Sequence, residues 1–341
     1  MSVSAHLARP LVDSFGRVHK DLRISLTDVC NLRCTYCMPA EGVPWLAREN
    51  ILTTPELVRV ARVAAALGIV EARLTGGEPL LRRDAVDVVR EMAAIEGDDG
   101  PLEISMTTNA LRLVKLAGPL AEAGLARVNI SLDTLQPEKF AELTRRDRLH
   151  DVLAGIDAAI EAGFAPIKLN AVAMRDVNDD ELVDLVRFAV EKNCEIRFIE
   201  QMPLDAGHIW SRVKMVTGEE ILDKLSAAFT LTEVGERGAA PAERFRIDDG
   251  PSTVGVIRSV SKPFCGACDR VRIDCACGSF HTVTSPLKIH PSDWNARITS
   301  PRKSVMPTYP SVALVVVSCC TWMQASRPGL VTRSCSRMMN E

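Results

Sequence analysis

The sequence carries no excess of positive charge: its formal net charge is −3 over 341 residues. A strong general affinity for nucleic acid or an anionic membrane surface is thereby excluded. It has no run of about 18 apolar residues, so it offers no membrane-spanning helix. The opening stretch MSVSAHLARPLVDSFGRVHKD lacks an apolar segment followed by a small-residue cleavage site. That argues against secretion and predicts a cytoplasmic protein. Acidic residues are scarce at the far end. Of 44, 41 precede Asp274, and the last 68 residues hold only Asp274, Asp293 and Glu341, against seven Lys or Arg and ten Ser. Helical periodicity fades in the same segment, and the apolar run SVALVVVSCC (311–320) has no partner elements around it. No internal repeat of fixed length is present.

The rest of the chain reads as a folded protein. It is 47% hydrophobic and 25% charged, a balance that buries a core. Its length suits one large α/β domain with an appendage. Candidate strands are DLRISLT (21–27), EARLT (71–75), LEISMT (102–107), RVNISL (127–132), IKLNAVA (167–173) and EIRFI (195–199). Amphipathic segments separate them. In TTPELVRVARVAAALG, Thr54 reads as N-cap and Pro55 stands in the first turn. Leu57, Val60, Ala61, Ala64 and Leu67 share one face, and Gly68 ends the helix. VNDDELVDLVRFAVEKN has an acidic first turn and Lys192 near its last. Such alternation predicts a parallel α/β sheet with right-handed crossovers, here an incomplete (βα)6 TIM-like barrel with a small C-terminal extension. The expected organisation is an arm (1–20), the barrel (21–230), a C-terminal region (231–273) whose first part reads as linker, and a divergent, poorly ordered tail (274–341). Chemistry in such sheets sits at the carboxyl ends of the strands.

Eleven cysteines are many for a reducing compartment, and they cluster. Clustering there indicates metal binding more than disulfides. Cys30, Cys34 and Cys37 follow the first strand with C-x3-C-x2-C spacing. Three thiolates on one loop can hold three irons of a four-iron cluster and leave the fourth open, as catalytic metal sites do. Zinc would want a fourth ligand, and no His follows within the loop. A polar loop with Asn31 and Arg33 is a poor place for three core cysteines. Further on, Cys265 and Cys268 form a second C-x2-C, with Cys275 and Cys277 nearby.

The triad, with Tyr36 before its last cysteine, resembles the signature of the radical S-adenosylmethionine (SAM) superfamily. Thr75-Gly-Gly-Glu-Pro79 resembles its second mark, in which glycines let backbone approach the ligand closely. DLRISLTDVCNLRCTYCMPAEG, RLTGGEPLLRRD, TTNA, VNISLDTL, KLNAV, FIEQMPLD and FCGACDRVR then follow in order over roughly residues 15 to 273. Together they resemble the GTP 3′,8-cyclase family of molybdenum cofactor biosynthesis. The resemblance implies two [4Fe–4S] clusters and SAM as cofactors. It implies reductive cleavage of SAM and a radical conversion of GTP to (8S)-3′,8-cyclo-7,8-dihydroguanosine 5′-triphosphate. Cys30, Cys34 and Cys37 would ligate the first cluster, and Cys265 and Cys268 the second, which would bind the purine. Tyr36, Gly77, Ser131 and Met202 would contact SAM. Arg23, Arg73, Thr107, Lys168, Arg270 and Arg272 would contact GTP. An electron donor, a downstream cyclic pyranopterin synthase taking the product, and a second copy of the chain are the implied partners. Neither nucleic acid nor membrane is among them.

Taken singly, each of these cations reads as a solvated face or surface ion pair, and Met202 as core. Their shared motif context lifts them, and a triphosphate needs several cations at once. One part of the pattern fails. The third cysteine of the second site belongs at position 282, which is Thr282, a poor ligand for a soft iron–sulfur centre. The family's Gly-Gly tail is replaced by Met-Asn-Glu. Three readings follow: Cys275 or Cys277 substitutes; two cysteines act with an outside ligand; or the chain beyond about residue 273 is out of the ancestral frame. The lost acids and periodicity favour the last. The expectation is SAM cleavage weakly coupled to GTP. Two alternatives stand beside it, a non-catalytic remnant that still binds SAM and a cluster, and a peptide-modifying radical enzyme with an auxiliary cluster.

Overall fold

The computed structural model describes residues 10–204 and 210–275. The expectations placed on the tail, Cys277, Thr282 and the chain end lie outside the described residues. Twelve strands and seven α-helices are described. Strands β1 (Asp21–Ser25), β2 (Glu71–Thr75), β5 (Glu103–Thr108), β6 (Leu125–Ser131), β7 (Lys168–Ala173) and β8 (Glu195–Glu200) match the six expected runs. A short hairpin, β3 (Glu96–Gly97) and β4 (Gly100–Pro101), stands apart. Helices α1 (Thr54–Ala66), α2 (Ala85–Ala93), α3 (Leu113–Glu122), α4 (Pro137–Thr144), α5 (Leu149–Glu161), α6 (Leu182–Glu191) and α7 (Gly218–Ser226) cover the outer face.

The region read as linker carries three strands. It contributes β9 (Leu231–Glu233), β10 (Glu243–Ile247) and β11 (Thr253–Ile257), and β12 (Arg270–Ile273) follows. The ten-stranded sheet runs β12-β1-β2-β5-β6-β7-β8-β11-β10-β9. All pairs from β12 to β11 are parallel, and β10 and β9 are antiparallel additions. The six βα units therefore form a partial barrel, and the C-terminal segment extends it at both edges.

Two local details differ from the expected helix start. Thr53, not Thr54, caps α1, because Glu56 at the third helical position accepts from the Thr53 backbone N at 2.8 Å, closing a capping box. Gly68 ends the helix with φ +88°, the left-handed conformation that glycine adopts without a Cβ clash.

Alternation along the strands sorts the two faces. Leu22, Ile24, Ala72, Leu74, Ile104, Met106, Val128, Ile130, Leu169, Ala171, Ile196 and Phe198 point outward into one continuous core beneath the helices. The intervening residues face the barrel interior, and they are almost all polar.

Candidate active site

The loop after β1 carries Cys30, Cys34 and Cys37, and none is in a disulfide. It is built from its own backbone: Cys37 N and Met38 N both donate to Cys34 O at 2.9 Å. Arg33 Nη1 donates to Cys30 O at 2.8 Å, and Arg33 N and Thr35 N are tied to the end of α4. Cys30 and Cys34 pack against the core, and Cys37 is exposed at the rim. Burial pushes the Cys30 and Cys34 thiols up, and for Cys34 the charges of Asp133, Cys37 and Cys30 add to it. A bare thiolate is costly there, and cationic iron reverses that cost. Among the described residues no three His, Cys, Asp or Glu side chains converge on a single-ion site. A structural zinc needs that convergence, whereas a cluster takes each thiolate on a separate iron. The donor set fits the cluster.

The TGGEP turn locks this loop from behind. Gly77 N donates to Thr27 O at 2.7 Å, and Glu78 N to Val29 O at 2.8 Å. A Cβ on Gly77 would stand 2.4 Å from the carbonyl oxygens of both Asp28 and Val29. One on Gly76, where φ is +146°, would meet Thr27 O at 2.3 Å. The glycines thus admit the cysteine loop's own backbone. Gly77→Ala should cost about 1–3 kcal/mol and lower iron content together, read by thermal unfolding and iron assay. An unchanged melt would contradict the contact. Glu78 is fully buried and accepts from Leu80 N, Thr108 Oγ1 and Asn109 N, and Asn109 Nδ2 donates to Asn31 Oδ1 at 2.7 Å.

Tyr36, Gly77, Ser131 and Met202 all come to the carboxyl end of the sheet. Ser131 closes β6 beside Asn170 of β7, and Met202 follows β8 by two residues. Tyr36 also makes a contact that no motif announced: its hydroxyl donates to Asp133 Oδ2 at 2.7 Å. Asp133 Oδ1 accepts from Val172 N at 2.8 Å. Burial pushes Asp133 up to about 6, against those two hydrogen bonds.

The interior below is a field of cations. Arg23 stands between Arg73 on one neighbouring strand and Arg272 on the other, and Arg270 stands opposite Asp21. Arg73 is level with Ser105, and Ser105 with Arg127. Thr107 pairs with Asn129, Asn129 with Lys168, and Lys168 with Glu195. Carboxylates are fewer. Arg73 Nη2 meets Glu71 Oε1 at 2.6 Å and Arg127 Nη2 meets Glu71 Oε2 at 3.0 Å. Burial alone would raise Glu71, but Arg73, Ser105 and Arg127 hold it at about 2. Arg197 pairs with Glu195 at 2.6 Å. Arg23 Nε is buried, with no hydrogen-bond partner among the described residues. Burial, then Arg73, brings Arg23 down to about 10, with Arg270 and Arg272 adding to it. Burial, then Arg197 and Arg127, brings Lys168 down to about 8, and Glu195 opposes them.

The second cysteine pair closes the amino end. Cys265–Ala267 form a short 3-10 turn before β12. Arg270 Nη2 approaches Cys268 Sγ at 3.1 Å and stacks over the Phe264 ring at 5.0 Å. Cys275 is not part of this site. Seven residues of mostly extended chain, on the order of 20 Å, separate it from Cys268. It lies at the carboxyl end instead, where Leu52 N donates to its carbonyl at 3.0 Å. The substitution of the missing cysteine by Cys275 is therefore corrected. The sequence reading also passed over Arg127, Arg197 and Asp133. Strand parity would have found the two arginines, which occupy the same inward positions as Lys168 and Arg73.

Comparison with known proteins places this geometry. The Radical SAM superfamily matches residues 24–189, and Molybdenum Cofactor Synthesis C matches residues 194–282. The GTP 3′,8-cyclase of Streptomyces coelicolor is 55% identical over 275 residues, 80% of this chain and 80% of its own length. That of Corynebacterium glutamicum is 52% identical over 273 residues, 78% of this chain and 72% of its own. Among solved structures, Streptococcus suis SuiB bound to S-adenosylmethionine superposes with a TM-score of 0.55 at 16% identity, covering 79% of this chain and 59% of that one. This last likeness is one of fold.

Proposed function

The chain belongs to the GTP 3′,8-cyclase family of the radical SAM superfamily, and on that premise we propose how its barrel converts GTP to a 3′,8-cyclised nucleotide. Its cofactors are [4Fe–4S] clusters and SAM. Cys30, Cys34 and Cys37 would hold the first cluster, which when bound supplies the electron that cleaves SAM. Tyr36, Gly77, Ser131 and Met202 would line the SAM site at the same end. Arg23, Arg73, Thr107, Lys168, Arg270 and Arg272 would hold GTP, joined by Arg127 and Arg197. Cys265 and Cys268 would contribute to the second cluster at the opposite end. An electron donor, a downstream enzyme that takes the cyclised product, and a second copy of the chain belong to the same proposal.

One observation carries this reading: the cations of the inner face lie between the two cysteine groups. Half-buried arginines that repel one another destabilise the empty barrel, and a bound triphosphate reverses the sign of that interaction. Arg23 is the clearest case, because its buried Nε has no acceptor among the described residues. A guanidinium offers a planar fork to phosphate oxygens. Three cations on adjacent strands can grip one triphosphate without any chain movement. A peptide substrate makes no such demand on charge, which favours a nucleotide here.

Lys168 gives a test. Arg197, Arg127, Arg73 and Glu195 face it. With its group at about 8 in the empty barrel, the ammonium is lost as pH rises through 8. A bound triphosphate favours the charged form, so GTP binding above that pH takes up a proton. Affinity should fall between pH 8 and pH 9, and calorimetry in buffers of different ionisation heat should show proton uptake. Lys168→Arg should flatten the fall. A pH-independent affinity in the parent chain would contradict the placement of Lys168 against the phosphates.

A further inference from the structure

The ten-stranded sheet ends with β12 on one side and with β11, β10 and β9 on the other. The chain from β11 to β12 joins the two sides, and Phe264 stands midway along it. The approach to its ring is fixed. Glu200, fully buried at the end of β8, accepts from Val260 N and Ser261 N at 2.8 Å and from Gly218 N at 2.7 Å. Phe264 is 9% exposed and packs against Ala242, Ile257 and Ile199, which belong to the β8, β11 and β10 side.

Two guanidinium groups lie over this one ring. Arg237, from the β9–β10 loop, stands 5.4 Å from its centroid, and Arg270, from β12, stands 5.0 Å away. The ring thus holds a side chain from each edge of the open sheet. Arg237 has a carboxylate, Glu243 at 3.9 Å, shared with Arg258 at 3.3 Å and Lys262 at 2.9 Å. Arg270 has none. It is 7% exposed and forms no ion pair among the described residues, and its side chain donates there only to Cys268 Sγ at 3.1 Å. A thiol is a weak acceptor, so the ring face is the main compensation for this buried charge. Stacking occupies the face of a guanidinium and leaves its N–H edge for phosphate oxygens. Arg270 is also close enough to Arg23 to add to the repulsion there, so it belongs to the same field of cations.

Resting on the reading that Arg270 binds GTP, we propose that Phe264 is a positioning residue for the triphosphate. Its ring clasps Arg270 to the far edge of the sheet and presents the N–H edge of that guanidinium to the phosphates. Phe264 itself does not touch the substrate. Arg237, on the same ring, ties the clasp to the β9–β10 loop. Core packing would accept another apolar side chain of similar size, whereas a clasp needs the negative face of an aromatic ring.

The test measures GTP and SAM binding by calorimetry on the reconstituted full chain. Phe264→Leu should weaken GTP binding about five- to tenfold, the worth of a cation–π contact out of water, and leave SAM binding unchanged. Pentafluorophenylalanine at position 264 keeps the shape of the side chain and reverses the sign of the ring face, so it should weaken GTP binding at least as much. In an Arg270→Gln background, itself weakened for GTP, neither change should cost anything further. GTP binding unaltered by the fluorinated ring overturns the proposal. So does a loss that persists in full in the Arg270→Gln background, which would mark Phe264 as core packing alone. Arg270→Gln that binds GTP like the parent overturns the reading of Arg270 as a GTP contact, and the positioning role with it. If Phe264→Leu loses SAM binding as well and so does not fold, the fluorinated ring decides: weakened GTP binding supports the clasp, and parent-like binding overturns it.

Discussion

Cys34→Ala should remove about four irons per chain and reduce 5′-deoxyadenosine formation to the background of the protein-free mixture. Cys34 is the middle thiol of the loop, and its carbonyl receives both turns that shape it. Its thiol is raised by burial and by Asp133, Cys37 and Cys30 together, so the thiolate is worth having only against a cation. The substitution deletes one sulfur beside the core. If Cys34 were simply a packed core residue, the outcome would be inverted: iron would stay, and stability would fall by about 1 kcal/mol or more. As a ligand, Cys34→Ala should lose the iron whatever the modest packing cost of removing a sulfur that touches the core. Iron content after reconstitution separates the two roles: retained iron contradicts the ligand.

The second large effect belongs to Arg23. Arg23→Gln should weaken GTP binding about 30- to 100-fold, the loss of one buried charge-assisted contact of about 2–3 kcal/mol. The same substitution should stabilise the empty protein. Arg23 is half-buried between Arg73 and Arg272, its buried Nε without a hydrogen-bond partner among the described residues, and desolvation together with Arg73 holds it down to about 10. The folded state thus works against the charge at every pH below that value. Removing it should raise the melting temperature of the empty protein by roughly 2–4 °C, for a gain of about 1 kcal/mol. Binding and stability moving in opposite directions is the signature of a site built for a ligand. A variant that loses both would mark Arg23 as a structural ion-pair residue.

Much of this was legible in the chain itself, because local pattern and chemistry agreed. The six barrel strands follow from alternation, and Gly68 marks the end of α1. The cysteine loop is readable because three soft ligands at short spacing have few other uses. Other parts depend on contacts that no local window contains. The turn at Asp248, Asp249 and Gly250, with both aspartates at positive φ, is a hairpin signal, yet the low-complexity stretch GERGAAPAERF before it reads as linker. That β12 pairs with β1 follows from neither strand alone, and it is this pairing that brings Arg272 to Arg23. The same pairing sends Cys275 to the far end of the barrel, although it is only seven residues from Cys268. The glycines of TGGEP were expected at a ligand, and their first constraint proved to be the backbone of residues 27–29.

The central claim is that one barrel couples two events at its two ends. The reconstituted full chain, given SAM, GTP and a strong reductant without oxygen, should be assayed for 5′-deoxyadenosine and cyclised nucleotide in the same tube. The account predicts both products, each dependent on Cys34, with 5′-deoxyadenosine in excess. A second site lacking its usual cysteine positions the nucleotide less tightly, and a displacement of about 1 Å can cost roughly a hundredfold in rate. 5′-Deoxyadenosine formed at full rate with no cyclised nucleotide at any GTP concentration would contradict it.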